Sequence, residues 1–259
     1  MLTLTRQPEN GKSGYERVMG FLRDQLLSGQ LKTGDLLLPE RDLAIMLGVS
    51  RPVLREALRA LAMIGAVEIR HGVGTVVRRP DASTLGEFFS FILAQQKDVL
   101  DDVMEARIAI EHHAVRLVCR RATAGDFDRI EDALRQIVAT IEDPVEGGKA
   151  DFQFHLEIVR AARSPTLISV YGAISDLMAR SHLDRREQII KVEGIHEFLI
   201  DHHRLIFGAL VERNAASADE LLARHFEIGA EFRRRATMQA SSRQSSVETV
   251  KPGPTPQTH

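Results

Sequence analysis

The chain has 259 residues, with 44% apolar and 27% charged side chains, no Trp and a single cysteine, Cys119. The length predicts about two globular domains, and a single cysteine allows no intrachain disulfide. The apolar runs are too short for a membrane-spanning segment. No secretory signal is expected, so the expected location is the cytoplasm. The net charge of −2 hides an asymmetry, because residues 1–80 hold 12 Lys or Arg against 8 Asp or Glu, whereas residues 81–259 hold 22 against 28. Only the first segment is therefore expected to contact a polyanion such as nucleic acid.

The first segment carries the signals of three helices followed by a β-hairpin. Ser13 and Glu16 form a capping box that begins the first helix, and Gly29 ends it. β-Branched residues on both sides of a glycine-containing turn at residues 71–74 predict the hairpin. The predicted elements are helices over residues 13–28, 39–47 and 50–64, and strands over residues 67–70 and 75–78.

The remainder of the chain has no strand signal and consists of helical segments. Residues 79–83 contain a proline and are expected to be a linker, and residues 84–237 are expected to form an all-α bundle of six or seven helices. The polar residues 238–259, with three prolines, predict a disordered tail. The predicted helices cover residues 84–96, 98–121, 124–142, 147–163, 165–183, 187–212 and 215–236.

Three arginines of the third predicted helix share one face, since Arg51, Arg55 and Arg59 are spaced four residues apart. The preceding turn at residues 48–50 is short and contains glycine, as helix-turn-helix units require. Such units place their second helix in the major groove, where an arginine fork can bond O6 and N7 of guanine. An exposed basic helix face is the alternative for the arginines alone, but the turn and the hairpin favour DNA binding.

This segment contains Gly-Asp-Leu-Leu-Leu-Pro-Glu-Arg-Asp-Leu-Ala-Ile-Met-Leu-Gly-Val-Ser-Arg-Pro-Val-Leu-Arg-Glu-Ala-Leu at residues 34–58 and His-Gly-Val-Gly-Thr-Val-Val at residues 71–77. With these motifs, residues 34–78 resemble the winged helix of the GntR family of bacterial transcription regulators. The chain departs from the family at Leu38-Pro39, where Pro-Ser is usual, so the second helix lacks a serine cap. The resemblance implies that residues 13–78 are a winged helix-turn-helix domain whose DNA contacts are Arg41, Arg51, Arg55, His71 and Gly72.

Four residues of the helical segment have a spacing that can ligate a metal. Asp151 and His155 lie one helical turn apart, and His203 and His225 lie 22 residues apart on the last two predicted helices. Three imidazoles and one carboxylate suit Zn²⁺ first, and also Ni²⁺, Mn²⁺ or Fe²⁺. From spacing alone, such a set can also arise by chance among the nine histidines of this segment.

The helical segment resembles the effector-binding FCD domain of the FadR subfamily of GntR regulators. The resemblance implies a divalent transition metal held by Asp151, His155, His203 and His225, the same four residues. Neighbouring helical residues point about 100° apart, so only one of His202 and His203 can face inward. The resemblance selects His203, because this residue matches the metal motif of the family. Two other histidines without an evident partner, His182 and His196, are expected to be solvated.

Arg107 precedes Glu111 by one helical turn, which allows two interpretations. The two residues can form an ion pair on a solvated helix face. Alternatively, the guanidinium fork can bind a carboxylate ligand. The resemblance implies the second role, because Arg107 matches an arginine that subfamily members use near the metal for an organic-acid effector.

These features predict a ligand-responsive transcription regulator that is not an enzyme. We expect a repressor that senses a small organic acid and binds an inverted repeat of double-stranded operator DNA as a homodimer. One alternative is a hydrolase that uses metal-activated water, and another is a constitutive DNA-binding protein whose helical domain only dimerises. The first is disfavoured because no free acid or base is evident beside the four ligands, and the second because the Asp/His set is complete.

Overall fold

The computed structural model describes residues 12–80, 82–93 and 99–248. Within these residues there are eleven helices and one two-stranded sheet, and the chain divides into two compact units, Met1–Leu85 and Gly86–His259. Across the described ranges, no helix combines the length and the apolar character needed to cross a membrane. The elements are α1 (Gly14–Leu27), α2 (Glu40–Leu47), α3 (Arg51–Met63), β1 (Val67–Arg70), β2 (Gly74–Val77), α4 (Ala82–Leu93), α5 (Val99–Arg121), α6 (Ala124–Ala139), α7 (Pro144–Ala161), α8 (Pro165–Ala173), α9 (Ser175–Ile189), α10 (Ile195–Val211) and α11 (Ala215–Glu248).

The first unit contains the predicted three helices and hairpin. The capping box is present, because the Ser13 N–H donates to Glu16 Oε2 at 2.8 Å and the Glu16 N–H donates to Ser13 Oγ at 3.2 Å. Ser50 caps α3 by accepting from the Val53 N–H. Buried side chains of α1, α2 and α3 form most of the core of this unit, together with Leu37 and the strand residues Val67 and Val77. The helices contribute Val18, Leu22, Leu43, Leu54, Leu58 and Leu61.

The hairpin pairs β1 and β2 antiparallel, with Val67 opposite Val77 and Arg70 opposite Gly74. Gly72 and Gly74 have φ angles of +74° and +124°, which side chains other than glycine rarely adopt, so both glycines are required by the tight turn. The segment before α2 joins this sheet, since the Leu37 N–H donates to the Thr75 carbonyl at 2.8 Å. The hairpin is therefore anchored to the unit along the edge of β2 that does not pair with β1.

The second unit is all-α in its described residues, so the predicted fold class is confirmed. It contains eight helices when α4 is included, rather than the six or seven expected, because residues 165–183 do not form one helix. Ile174, with φ −107° and ψ 7°, ends α8 and precedes α9 without any side-chain cap. α9 then continues to Ile189, and α10 starts at Ile195, after a turn in which Gly194 has φ +81°.

Further helix boundaries differ from the prediction: α4 begins at Ala82, inside the expected linker of residues 79–83, and α6 ends at Ala139 rather than at residue 142. α7 begins at Pro144 rather than residue 147, because the Asp143 carboxylate accepts from the N–H groups of Val145 and Glu146 and so caps the helix. α11 runs on to Glu248, so the first part of the segment expected to be a disordered tail, residues 238–259, is helical. The rest of that segment, residues 249–259, lies outside the described residues.

α7 lies at the centre of the second unit, packed against α5, α6 and α9. Its side chains Phe154, Ile158 and Val159 are completely buried. At its start, two glycines permit close contacts with neighbouring elements. A Cβ on Gly147 would lie 2.9 Å from the carbonyl oxygen of Thr140, directly after α6, and 3.0 Å from Arg186 Nη2 on α9. A Cβ on Gly148 would lie 3.2 Å from the Leu183 Cα, also on α9. The spacing between α7 and α9 thus depends on the absence of these side chains.

Gly147→Ala is expected to destabilise the protein by about 1–3 kcal/mol, because the added methyl group would overpack against the Thr140 backbone oxygen after α6 and the Arg186 side chain of α9. The matched control is Gly208→Ala in α10, where a Cβ would meet nothing within 4 Å. That change is expected to raise stability by about 0.5–1 kcal/mol through helix propensity alone. Urea unfolding of both variants measures the difference, and equal effects would contradict the close-approach argument.

Candidate metal centre and DNA interface

The four predicted metal-ligating residues come together in the second unit from three helices. Asp151 and His155 lie on α7, His203 on α10 and His225 on α11, and one ligand atom from each lies within 4.8 Å of the others. The three imidazoles are buried, and Asp151 is half-buried. The structure thus groups residues that are up to 74 positions apart, from Asp151 to His225, in one compact cluster.

The hydrogen bonds around the cluster determine which nitrogen of two imidazoles is free. His155 Nδ1 lies 2.6 Å from Glu111 Oε2, and His203 Nδ1 lies 2.5 Å from the Leu199 carbonyl oxygen. Both partners are acceptors, so each Nδ1 carries the proton and each Nε2 presents a lone pair. Both Nε2 atoms face Asp151 Oδ1, at 3.7 Å for His155 and 2.8 Å for His203.

Four buried atoms of the cluster have no hydrogen-bond partner among the described residues. They are Asp151 Oδ1, His155 Nε2, His203 Nε2 and His225 Nδ1. Buried polar atoms are normally satisfied, and a carboxylate oxygen facing imidazole lone pairs is repulsive unless a positive charge lies between them. A transition-metal cation would satisfy all four atoms together, so the donor set present fits such an ion.

The protonation states of the cluster also suit metal binding. Burial alone would raise the pKa of Asp151, but contact with His182, whose Nδ1 donates to Oδ2, holds that pKa well below its usual value. Burial lowers the pKa of His155, and burial together with the neighbouring His203 lowers that of His225. At neutral pH the carboxylate is therefore ionised and these imidazoles are neutral, which are the forms that bind metals.

Arg107 and Glu111 form the expected i,i+4 ion pair, but the pair is buried rather than on a solvated face. Arg107 is 3% exposed, and its Nε donates to Glu111 Oε1 at 2.8 Å. Glu111 also accepts from the Tyr171 hydroxyl at 2.8 Å, and although burial would raise its pKa, Arg107 and His155 lower it to about 2. The guanidinium lies 4.8 Å from the centre of the Phe226 ring, and its buried Nη2 is without a hydrogen-bond partner within the described part of the chain.

His182 is a member of this site that the sequence prediction assigned wrongly to solvent. It is 2% exposed, and its Nδ1 lies 2.7 Å from Asp151 Oδ2. A signal was present, because His182 follows the buried Met178 by one helical turn on α9. His196 is half-buried rather than solvated, and His202 lies outside the four-residue group.

The predicted DNA-contacting residues are exposed on α3, on α2 and at the hairpin tip of the first unit. Arg51 and Arg55 lie, with Arg59 of the same arginine stripe, along one exposed face of α3, whose opposite face is buried in the core. Arg41 is exposed on α2, where its Nε donates to Asp42 Oδ1 at 3.1 Å. Two more residues are exposed at the hairpin tip, His71 and Gly72. The geometry is that of a helix-turn-helix with an exposed second helix and a wing.

An ion pair that the sequence did not predict links the two helices of this motif. Arg55 Nε on α3 donates to Glu40 Oε2 at 2.6 Å. Glu40 is the first residue of α2, which follows Pro39 without a side-chain cap, as expected from the missing serine. Glu40 and Asp42 in the first turn compensate for that cap through the helix dipole. Glu40 therefore both supports the start of α2 and orients Arg55.

Comparison with known proteins places both units in described families. Residues 14–77 match the model for bacterial regulatory proteins of the gntR family, and residues 102–228 match the FCD domain. HTH-type transcriptional regulator LutR of Bacillus subtilis (strain 168) is 30% identical over 199 residues, which cover 76% of this chain and 91% of LutR. The putative L-lactate dehydrogenase operon regulatory protein of Escherichia coli (strain K12) is 31% identical over 202 residues, covering 76% of this chain and 78% of that protein.

A solved structure of Streptococcus agalactiae GntR has the same fold, with a TM-score of 0.62 and 22% sequence identity, over 85% of this chain and 100% of that one. The first domain model includes the α2–α3 motif and the wing, and the second includes all four residues of the Asp/His cluster. The chain therefore belongs to the GntR family of bacterial transcription regulators, in which a DNA-binding helix-turn-helix domain is joined to an effector-binding FCD domain, and not to a family of enzymes.

Proposed function

We propose that this regulator is a homodimeric repressor of the FadR subfamily that senses a small organic acid at a metal centre. The acid and the metal would bind in the helical domain, residues 84–237, and an inverted-repeat operator would bind the winged helix, residues 13–78. The observation that carries this proposal is the cluster of four buried potential metal-ligand atoms that have no hydrogen-bond partner among the described residues. Arg107 is linked to this cluster through Glu111, which bonds both Arg107 and His155. The family membership supports DNA binding and effector sensing in general terms.

Asp151, His155, His203 and His225 are the residues proposed to hold the metal. Three imidazole nitrogens and one carboxylate oxygen favour Zn²⁺ first, with Ni²⁺, Mn²⁺ or Fe²⁺ as alternatives. When bound, a divalent ion would supply positive charge and open coordination positions for an anionic ligand. The Glu111 carboxylate orients His155 through its Nδ1, a role that carboxylates commonly have behind metal-bound histidines.

The charges that contact the cluster support an anionic effector. Asp151 and Glu111 are negative and Arg107 is positive, so these groups sum to −1, and a divalent cation would bring the site to +1. The free Nη2 of Arg107 gives the site a buried N–H donor suited to a carboxylate oxygen. The E. coli relative is named as a putative regulator of an L-lactate dehydrogenase operon, and lactate is a small acid of this class.

The winged helix supports the proposed dimer, because one recognition helix covers too few base pairs for a unique site. Two copies would read the two halves of an inverted repeat. An acid can regulate such a dimer only if the DNA-binding and DNA-free conformations differ in their affinity for it. A gel-shift titration of promoter DNA with and without acids separates this regulator from a constitutive DNA-binding protein.

His203→Ala and His225→Ala are each expected to reduce bound metal strongly, because each removes one of four ligands. His202→Ala is the matched control, since this histidine neighbours His203 on α10 but lies outside the group. Elemental analysis of the purified variants gives the metal content. Unchanged metal in both ligand variants, or equal loss in the control, would contradict the proposed centre.

Arg51→Ala and Arg55→Ala are each expected to weaken operator binding by about 1–3 kcal/mol, the usual cost of a lost bidentate base contact. Arg23→Ala on α1 is the control for a general loss of positive charge, since Arg23 is also an exposed arginine of the same unit. Affinities measured by fluorescence anisotropy at one fixed salt concentration make the comparison. If both recognition-helix variants bind like the parent protein, α3 is not the reading helix.

Calorimetry with hydroxy, oxo and sugar acids tests the proposed effector class. Arg107→Lys is expected to weaken acid binding by about 1.5–3 kcal/mol, because lysine keeps the positive charge beside Glu111 but loses the planar fork. A cooperative thermal transition like that of the parent protein controls for folding. If only neutral or cationic molecules bind, or if this variant binds its acid as tightly as the parent, the acid-sensor proposal fails.

A further inference from the structure

His182 contributes a buried atom that neither the metal group nor any hydrogen bond within the described residues uses. Its Nδ1 is occupied by Asp151 Oδ2 at 2.7 Å, while its Nε2 is buried and unpartnered. The residue lies on α9, outside the group of four proposed ligands. A buried polar atom without a partner indicates a ligand that supplies one.

The hydrogen bond to Asp151 determines the chemical character of this free atom. An ionised carboxylate only accepts hydrogen bonds, so Nδ1 of His182 must carry a proton. A neutral imidazole carries one ring proton, so with that proton at Nδ1 the second nitrogen has none. His182 Nε2 is therefore an acceptor, and its missing partner must be a hydrogen-bond donor.

This acceptor lies beside the same cluster as the unpartnered donor of Arg107. The His182 ring is 5.7 Å from the His155 ring, which is in turn 5.5 Å from the His203 ring and 5.4 Å from the His225 ring. Arg107 is linked to His155 through Glu111, whose two oxygen atoms bond Arg107 Nε and His155 Nδ1. The site thus presents a buried N–H for an anion and a buried lone pair for a donor.

We propose that His182 is a specificity-determining residue whose Nε2 accepts a hydrogen bond from a hydroxyl group of the effector. The site would then select hydroxy acids over oxo acids and unsubstituted acids with the same carbon skeleton. This inference rests on the proposed function, since it assumes that a carboxylate binds beside Arg107. An oxo acid would place a second acceptor against Nε2, and an unsubstituted acid would leave Nε2 buried and unpaired. Either mismatch is expected to weaken binding about 10- to 100-fold.

The test compares matched acids by calorimetry on the full-length, Zn²⁺-loaded protein. The sets are lactate, pyruvate and propionate; malate and succinate; and gluconate and hexanoate. The parent protein is expected to bind at least one hydroxy acid about 10-fold or more tightly than its matched analogues. Equal affinities within every set that binds would overturn the inference while leaving the acid-sensor proposal intact, whereas binding of no acid at all would overturn both.

His182→Asn separates specificity from simple support of Asp151. The asparagine amide can donate to Asp151 in place of Nδ1, but it has no atom at the position of Nε2, so the ratio between hydroxy and unsubstituted acids is expected to fall close to one. His182→Gln, whose amide oxygen reaches further and can accept, is expected to keep part of the preference and serves if the asparagine variant does not fold. His113→Asn, at an exposed position of α5, is the control for the substitution itself.

A merely supporting role predicts a different pattern. Loosening Asp151 would lower zinc content and weaken all acids by the same factor, leaving the ratio unchanged. A preserved ratio in His182→Asn would therefore overturn the proposal and would show that the hydroxyl group is recognised elsewhere. Loss of the ratio with zinc content near that of the parent would support it.

Discussion

The second unit is organised around Asp151, a half-buried carboxylate that contacts no Lys or Arg side chain among the described residues. Glu111 has Arg107 as its counterion, whereas the ion-pair contacts of Asp151 within the described part of the chain are with the imidazoles of His155, His182 and His203. His182 donates a hydrogen bond to Oδ2, but Oδ1 faces the Nε2 atoms of His155 and His203 and has no hydrogen-bond partner among the described residues. Buried polar atoms are normally satisfied, so this side of Asp151 is explained if it is built to receive a positive charge.

The packing of the bundle serves this arrangement. Gly147 and Gly148 let α7 approach α9 one helical turn before Asp151, and this close approach brings His182 to the Asp151 carboxylate. On the other side of α7, α5 presents Glu111 to His155. The cluster is therefore a property of helix spacing, and a shift of α9 by the width of a methyl group would disturb the contact between His182 and Asp151.

Much of the fold could be predicted from the sequence because its signals are local. The capping box at Ser13 and the glycine turn of the wing depend on residues a few positions apart, and both are present. The break at Ile174 and the extension of α11 could not be predicted, because neither proline nor a capping side chain marks the break, and the polar composition after residue 238 resembles a tail.

The contacts of the site also divide into those that local spacing predicts and those that depend on tertiary packing. The spacing of Asp151 and His155 is visible along one helix, whereas the partnership of Asp151 with His182 spans 31 positions and depends on how α7 and α9 pack. Arg107 and Glu111 have the same spacing whether their helix face is buried or exposed, so spacing predicted the pair but not its burial. Sequence periodicity reports which residues share a face, while tertiary packing decides what that face contacts.

The two units place arginine under opposite physical conditions. Arg55 is exposed, and its pair with Glu40 adds little stability, since exposed ion pairs are worth about 0–1 kcal/mol. Its value is orientation, because a DNA contact requires a side chain that can exchange one anionic partner for another at low cost. Arg107 is buried with its counterion, and its Nη2 has no hydrogen-bond partner among the described residues, so this N–H is held in an interior where its attraction for an anion is stronger than in water.

In the helical domain, a signal would depend on the charges at the Asp/His cluster. A cation bound to Asp151 and the three histidines would stabilise the native bundle by mass action, by about 2.7 kcal/mol at a hundredfold excess over its dissociation constant. An anion would then enter a site whose charge depends on that cation, so acid binding and metal binding would be coupled and each would strengthen the other. The Asp151 carboxylate, which would hold the cation, would thus also make the site responsive to charge.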